Sequence, residues 1–112
     1  MSDTQIPVVA IVTYPANTNL SPAAMRSLLE EAGPAYAAIP GLRRKYFLHR
    51  PGVAGGVYEW ATRALAEAFY DDAWYVAMSQ RSGSRPEVTL FECSAIAGGI
   101  DRRLEIYLPP KA

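Results

Sequence analysis

The sequence predicts an α+β domain of the ferredoxin-like type: β-α-β-β-α-β order, a four-stranded antiparallel sheet with both helices on one face, and an extra C-terminal strand. The prediction depends on a β-branched run near the start, two amphipathic segments with capping residues, and a Gly-rich hairpin pattern between them. Of the 112 residues, half are hydrophobic and a fifth are charged, which is typical of one globular domain. We therefore expect a single domain over residues 1–112, with its core at about 6–96.

Charge and cysteine content exclude several classes of protein. Eleven basic and eleven acidic side chains cancel, so the chain lacks the surplus of Lys and Arg that general nucleic-acid binding requires. The single cysteine, Cys93, cannot form a disulfide within the chain, which is typical of a reducing compartment. The first apolar run, residues 7–12, is too short to cross a bilayer and has no basic flank. We expect a soluble, cytoplasmic protein with no nucleic-acid or membrane partner.

A strand and a helix are predicted in the first third of the chain. Residues 6–14 are apolar at both parities, so both faces of this strand should be buried. Ser21 as N-cap and Pro22 at the first helical position indicate a helix start. Gly33-Pro34 predicts a kink or a brief break near the end of that helix. The apolar residues at helical spacing are Met25, Leu28, Leu29, Ala32 and Tyr36.

A β-hairpin is predicted over the central segment. Residues 42–50 and 57–60 favour strands, and the connection between them contains Pro51-Gly52 and Gly55-Gly56. Pro51 and Gly52 suit the two central positions of a turn, and we interpret the remaining glycine pairs of the chain as turn and bulge residues.

The second half repeats the helix-then-strand pattern. Thr62 can cap a second helix, and Asp71-Asp72 can cap a further helical segment. Strands are predicted over residues 87–95 and 104–108, with an interruption at Gly98-Gly99 and a stop at Pro109-Pro110. The residues assigned to the buried face of the second helix are Leu65, Ala68, Phe69, Ala73, Val76 and Ala77.

The two-faced strands predict a homodimer. Two helices can cover only one face of the sheet. The simplest way to bury the other face is to pack it against the same sheet of a second copy of the chain. The terminal strand, within residues 100–108, has no place in the parent sheet and would reach across to the partner subunit.

Several short motifs carry a family resemblance over roughly residues 8–95. They are Pro40-Gly41-Leu42, Lys45-Tyr46-Phe47-Leu48, Gly55-Gly56-Val57-Tyr58 with Trp60, Ala64 and Ala68-Phe69-Tyr70 with Trp74, and Pro86-Glu87-Val88 with Phe91. In these motifs the chain resembles the dimeric α/β-barrel superfamily and, within it, the YdhR-type mono-oxygenases.

The resemblance implies a small cytoplasmic homodimer. Some relatives in the superfamily oxidise aromatic, polyketide-like substrates with O₂ and no metal or flavin, whereas others are isomerases, cyclases, decarboxylases or haem-degrading enzymes. The oxygenases use a Trp with an Asn, and Trp60 is the counterpart of that Trp. The matched motifs contain no counterpart of the Asn, because Asn17 and Asn19 lie in the loop after the first strand.

His49 and the aromatic residues of the hairpin are the candidate site. His49 is a natural general acid or base, although it would equally suit a solvated strand end. Tyr58 and Trp60 are two residues apart and therefore share a face, where they would either fill the core or line a cavity for a flat ligand. We assign catalytic roles to His49, Tyr58 and Trp60. The residues assigned to substrate binding are Tyr14, Tyr46, Phe69, Trp74 and Tyr75.

Other residue groups point to ordinary structural roles. His49 has no second His, Cys or carboxylate at ligand spacing, so we expect no metal and no cofactor. The basic run Arg43-Arg44-Lys45 with Arg50 is typical of a solvated face, paired with Glu30, Glu31, Asp71 or Asp72. The alternative is a binding site for an anionic substrate.

Three functions remain open at this point. The first is a cofactor-independent mono-oxygenase or related enzyme that acts on a small aromatic or polycyclic compound between sheet and helices. The second is a non-catalytic dimer, for binding or stress response, that holds a small hydrophobic or aromatic ligand. The third is an isomerase or cyclase.

Overall fold

The computed structural model describes residues 5–109, and Pro110, part of the predicted stop, lies outside them. The elements follow the predicted order, with the second helix in two segments and two short strands at the end. They are β1 (Val8–Pro15), α1 (Pro22–Ala37), β2 (Leu42–Arg50), β3 (Val53–Trp60), α2 (Arg63–Phe69), α3 (Asp72–Ser82), β4 (Glu87–Glu92), β5 (Ala95–Gly98) and β6 (Arg103–Ile106).

The first four strands form one antiparallel sheet in the order β2-β3-β1-β4. The predicted ferredoxin-like α+β fold is therefore confirmed. Val8 lies opposite Trp60 and Ala10 opposite Tyr58, so these side chains share the face that the helices cover. All four are buried, which places the core under α2 and at the centre of the sheet. The prediction that Tyr58 and Trp60 share a face is confirmed.

The other face of the sheet, which we call the outer face, is uncovered in the single chain. β1 contributes Ile11 to it, and β2 contributes Tyr46 and Leu48, all more than 40% exposed. Phe91 of β4 is 51% exposed on the same face, opposite Val9. The expectation that β1 is buried on both faces therefore fails within one chain, because only Val8, Ala10 and Val12 are packed under helices.

The predicted helix caps are present. The side chains of Ser21, Thr62 and Asp71 each accept a hydrogen bond from the backbone N–H three residues later. Of the predicted kink or break, the break is absent: α1 runs without interruption through Pro34, and the Ala38 N–H closes its last turn on the Pro34 carbonyl. Proline has no backbone N–H, so the preceding turn lacks one hydrogen bond, whereas the carbonyl of the proline still accepts one from the following turn.

The buried face predicted for the second helix is largely wrong. Leu65, Ala68, Ala73, Val76 and Ala77 are exposed, and only Phe69 of the predicted set is half-buried. The reason is the second start at Asp71, which gives α3 its own helical phase, so one continuous stripe cannot describe both segments. The two fully buried side chains of these helices are those of Ala66 and Met78.

Gly55 and Gly56 lie inside β3 and not in the hairpin connection, which corrects the predicted turn. The turn itself is only Pro51-Gly52, with Gly52 at a positive φ of 79°. A Cβ on Gly55 would collide with the Val12 carbonyl oxygen of the neighbouring strand. Gly55 therefore allows β1 and β3 to approach closely, whereas a Cβ on Gly56 would meet the Tyr46 carbonyl oxygen of β2.

The C-terminal segment forms a hairpin of its own. β5 pairs with β6 in a two-stranded sheet, turning at Gly98 and Gly99, which both have positive φ. The predicted strand over residues 87–95 thus ends at Glu92, and the predicted last strand pairs with its own neighbour. Leu104 and Ile106 of this hairpin are more than half exposed. Within the described residues, no helix is long and apolar enough to cross a membrane.

Candidate functional site

A cavity of about 360 Å³ lies between α1 and the sheet. The apolar face predicted for α1 lines this cavity, and α1 has no fully buried residue. The other walls come from β1, β2, β3, α3 and the loop after β1. A groove along α1 shares Leu20, Met25, Leu29 and His49 with the cavity, so it forms an approach to the interior.

The loop after β1 is held over the hairpin turn by hydrogen bonds. The Gly52 N–H donates to the Thr18 hydroxyl at 3.0 Å, and that hydroxyl donates to the Arg50 carbonyl at 3.1 Å. The neighbouring Asn17 lines the cavity, and its side-chain oxygen accepts a hydrogen bond from the Asn19 N–H at 3.0 Å. This end of the cavity is therefore polar.

Lys45 lies at the opposite, aromatic end of the cavity. Its Nζ is 3.4 Å from the ring centroid of Tyr36, 4.0 Å from that of Phe47 and 4.6 Å from that of Tyr58. Ring faces attract a cation, so these contacts hold the lysine side chain inside the cavity.

Burial changes the acidity of the groups around this end. Desolvation, with a smaller contribution from the positive charge of Arg81, lowers the pKa of Lys45 to about 7. Burial raises the pKa of Tyr58 and, less strongly, that of Tyr14, and the neighbouring Tyr36 adds to both shifts. At neutral pH the cavity thus contains neutral phenols next to a lysine that exchanges its proton readily.

Three of the predicted site residues line the cavity: Tyr14, His49 and Tyr58. They come from three adjacent strands and project to the helix-covered face, where His49 pairs with Ala54 and Lys45 with Tyr58. His49 is exposed at the rim, because it also lines the groove along α1.

Trp60, Phe69, Trp74 and Tyr75 belong to a packed ring cluster beside the cavity and do not line it. The Trp60 N–H donates to the Tyr70 hydroxyl at 3.1 Å, so it is already bonded within the core. The cluster reaches the cavity through Tyr58, whose ring lies parallel to that of Trp60 at 6.2 Å between centroids.

Tyr46 lies on the outer face, 53% exposed, and does not line the cavity. This corrects the grouping of Tyr46 with Tyr58 and Trp60. Tyr46 pairs with Val57, whereas Tyr58 pairs with Lys45, and successive residues of a strand point to opposite faces.

Sequence reasoning missed Lys45, Tyr36, Arg81 and Asn17 as cavity residues. Lys45 was grouped with Arg43 and Arg44 as a solvated run. The two arginines do lie outside the cavity, where they contact Glu59 at 3.7 Å and 3.2 Å and not the acids that were predicted as partners. Arg44 and Lys45 are neighbours in β2 and therefore point to opposite faces of the sheet. The pairing of β2 with β3 shows which of the two faces the helices.

No protein-family model matches the sequence, and a comparison with curated proteins finds no match. Solved structures do match. NE2512, a protein of unknown function from Nitrosomonas europaea, superposes with a TM-score of 0.62 at 20% identity, covering 86% of this chain and 97% of that one. SnoaB, a cofactor-independent oxygenase from Streptomyces nogalater, superposes with a TM-score of 0.52 at 16% identity, covering 78% of this chain and 92% of that one. The heme-degrading protein Rv3592 from Mycobacterium tuberculosis superposes with a TM-score of 0.55 at 17% identity, covering 85% of this chain and 99% of that one.

The chain shares the ferredoxin-like α+β fold of these structures. The resemblance drawn from the sequence motifs is thereby confirmed for the fold. Proteins with this fold differ in activity even among the matches, since one is an oxygenase and another degrades haem. The chemistry of this chain therefore has to be argued from its own cavity.

The cavity is lined by the residue types that line ligand pockets in proteins. Its lining is mostly aliphatic and aromatic, with the phenols of Tyr14, Tyr36 and Tyr58 as possible hydrogen-bonding groups. Over residues 5–109, no three His, Cys, Asp or Glu side chains are grouped as a metal site would require. His49 is the one imidazole among the lining residues.

Proposed function

We propose that the protein is a cofactor-independent mono-oxygenase, or a closely related enzyme, that acts on a small aromatic or polycyclic compound in the cavity between α1 and the sheet. The observation that supports this most is the cavity itself: phenol rings and aliphatic side chains enclose it, and Lys45 and His49 lie where they can exchange protons with a ligand. The match to an oxygenase of the same fold adds to this support.

The size of the cavity suits a flat ligand of two or three fused rings. Its volume, about 360 Å³, is at the small end of ligand pockets, which generally span about 300–1,000 Å³. A ligand of this kind would stack against the rings of Tyr36 and Tyr58, which meet edge to face at 6.1 Å.

Oxidation without metal or flavin requires a substrate that itself delivers electrons to O₂. An activated CH₂ group next to an aromatic carbonyl can do so after it loses a proton. The carbanion adds O₂ and takes up a proton to give a hydroperoxide, and elimination of water then leaves a ketone. The overall change is CH₂ + O₂ → C=O + H₂O, in which the substrate loses four electrons and O₂ gains four.

In this scheme His49 accepts the proton and the cationic side chains stabilise the anion. His49 stands at the rim of the cavity, where solvent can take the proton onward. Lys45 and Arg81 place positive charge in the cavity, which favours the carbanion over its neutral precursor. Tyr58 and Tyr14 would orient the substrate, and Trp60 would act through its packing on Tyr58.

The proposal includes a cytoplasmic homodimer formed through the outer face. Ile11, Tyr46, Leu48 and Phe91 make this face apolar and exposed in the single chain, and a second copy of the sheet is its complement. The exposed hairpin of β5 and β6 would then contact the partner subunit, covering Leu104 and Ile106.

Oxygen uptake by the purified protein tests the proposal. The protein, treated with a chelator, is mixed with a panel of anthrones, naphthols and quinols in an oxygen electrode, and products are analysed after reaction under ¹⁸O₂. We expect uptake with at least one member, one labelled oxygen in the product, and a loss of about 10²-fold or more in rate for His49→Ala. The control is Arg85→Gln, whose side chain stacks on Tyr75 at 3.9 Å and does not line the cavity.

Two outcomes would reject the oxygenase. Product formation without O₂ consumption would indicate an isomerase or cyclase. Ligand binding without any turnover across the panel would indicate the non-catalytic binding dimer. Uptake that survives unchanged in His49→Ala would reject only the role of His49.

A further inference from the structure

Among residues 5–109, two cationic side chains and no carboxylate line the cavity. Lys45 enters from β2 and Arg81 from the end of α3, while the lining contains neither Asp nor Glu. Glu30, in the groove outside, contacts Arg26 at 3.2 Å. The cavity therefore has a surplus of positive charge, although the chain as a whole is neutral.

Most arginines elsewhere in the chain have acidic partners, in contrast to the cavity. Arg44 contacts Glu59 at 3.2 Å and Arg63 contacts Glu67 at 3.7 Å. Among the described residues, no carboxylate lies within 4.0 Å of the charged nitrogens of Lys45 or Arg81. Lys45 is half-buried among ring faces, which replace only a part of the hydration that its ammonium group loses, whereas Arg81 lines the cavity as an exposed side chain.

We propose that the cavity binds a flat aromatic anion, a carboxylate or an acidic phenolate, whose charged oxygen contacts Lys45 and Arg81. The rings of Tyr36, Phe47 and Tyr58 enclose the aromatic body, and the two cations compensate the charge. This deepens the proposed function by naming its substrate class, and it rests on the same cavity. Binding of such an anion does not itself require reaction with O₂.

Binding of the anion is coupled to a proton. Without ligand, burial and Arg81 hold the pKa of Lys45 at about 7, so the lysine is only partly protonated at neutral pH. A bound anion favours the ammonium form and raises that pKa, so a proton is taken up when the complex forms. The titratable or charged groups that line the cavity together with Lys45 are Tyr14 of β1, Tyr36 of α1, His49 of β2, Tyr58 of β3 and Arg81 of α3.

Isothermal titration calorimetry with a matched pair of probes tests the proposal. 2-Naphthoate and 2-naphthamide have nearly the same shape, and only the first is charged; 4-nitrophenol, which ionises near neutral pH, tests the phenolate. We expect the naphthoate to bind about tenfold tighter than the amide or more, because charge-assisted hydrogen bonds are the stronger ones. In Lys45→Met and in Arg81→Gln this ratio falls towards one, while Arg85→Gln keeps it.

The proton is measured in the same experiment. Titrations in two buffers of different ionisation enthalpy, at about pH 7.5, should give uptake of a fraction of a proton in the wild type and in Arg85→Gln, and none in Lys45→Met. Lys45→Arg, which keeps the charge, retains the preference for the anion but loses the proton uptake, and it serves as the second variant if Lys45→Met does not fold.

Equal affinities for naphthoate and naphthamide, or no binding of either at millimolar concentration, would overturn the proposal. So would a preference that survives in both Lys45→Met and Arg81→Gln. Naphthoate has no activated CH₂, so its binding is independent of oxygen uptake. An oxygenase that takes only neutral substrates would therefore fail this test and pass the earlier one, and an aromatic-acid binder without turnover would do the reverse.

Discussion

At the scale of single residues, the pairing of β2 with β3 places Lys45 in the cavity. The sequence places this lysine in a basic run, but β2 mixes charged and aromatic residues on both parities: Arg44 alternates with Tyr46, and Lys45 with Phe47. Alternation therefore could not decide which of these side chains enters the protein. Only the pairing of Lys45 with Tyr58, on the face covered by helices, places it in the cavity.

Replacement of Lys45 by methionine should stabilise the protein near neutral pH. The pKa of Lys45 falls from 10.5 to about 7 on folding, so the unfolded chain binds more protons between these values. The wild type therefore gains stability as pH rises from about 7 towards 10.5, and Lys45→Met lacks this term. At pH 7 we expect the variant to unfold with roughly 1–2 kcal/mol more free energy, reduced from the full shift because solvent reaches the cavity.

Urea unfolding of both proteins at several pH values provides the measurement. The difference in unfolding free energy between variant and wild type should shrink as pH rises. The tyrosines titrate in both proteins, so their contribution to the pH dependence cancels in this difference. A difference that stays constant with pH would show that the gain comes from packing alone. Arg85→Gln, with its side chain outside the cavity, should show no such pH-dependent difference.

At the scale of the elements, starts were predictable from sequence and packing partners were not. Ser21, Thr62 and Asp71 all act as N-caps, because a cap depends on a local hydrogen bond that the sequence specifies by itself. The helical spacing of apolar residues also predicts the apolar stripe of α1, and in the structure this stripe lines a cavity. A hydrophobic pattern shows which side of a helix avoids water, and the space left between that side and the sheet depends on the whole fold.

The close approach of β1 and β3 at Gly55 leads to a prediction about these strands. An alanine Cβ at this position would meet the Val12 carbonyl oxygen, and the Gly55 φ of 155° adds strain for a residue with a side chain. We expect Gly55→Ala to lower the free energy of unfolding by about 2–4 kcal/mol, since backbone atoms of the neighbouring strand cannot move aside cheaply.

The matched control for this prediction is Gly33→Ala in α1. Apart from its chain neighbours and the nearby backbone of its own helix, no atom lies within 4 Å of the Cβ that would be added there. The change should stay below about 1 kcal/mol, because the helix preference for alanine and the crowding before Pro34 oppose each other. Chemical denaturation measures both variants, and equal effects of the two substitutions would contradict the close-approach explanation.

At the scale of the whole molecule, the chain leaves two apolar surfaces uncovered. One is the outer face of the sheet, and the other is the C-terminal hairpin, where Ile100, Leu104 and Ile106 are exposed. The sequence predicted the first from strands that are apolar at both parities. It could not predict that the second is a separate hairpin, because the pairing of β5 with β6 depends on positive φ at Gly98, Gly99 and Arg102.

Substitution of the outer face should dissociate the proposed homodimer. Light scattering after size exclusion should give the wild type at twice the chain mass of 12.2 kDa at micromolar concentration. Phe91→Glu places a carboxylate within the proposed apolar interface, where burying an unpaired charge is costly, so we expect dimer affinity to fall by about 10²-fold or more.

The control is Val76→Glu, which makes the same kind of change at an exposed position of α3, away from the outer face. It should remain dimeric, and both variants should keep the helical circular-dichroism signal of the wild type. Leu104→Glu in the same assay tests the hairpin: a weaker dimer places β6 against the partner, and an unchanged dimer confines the interface to the sheet. A wild type of single-chain mass at these concentrations would refute the homodimer, and the outer face would then require a different cover.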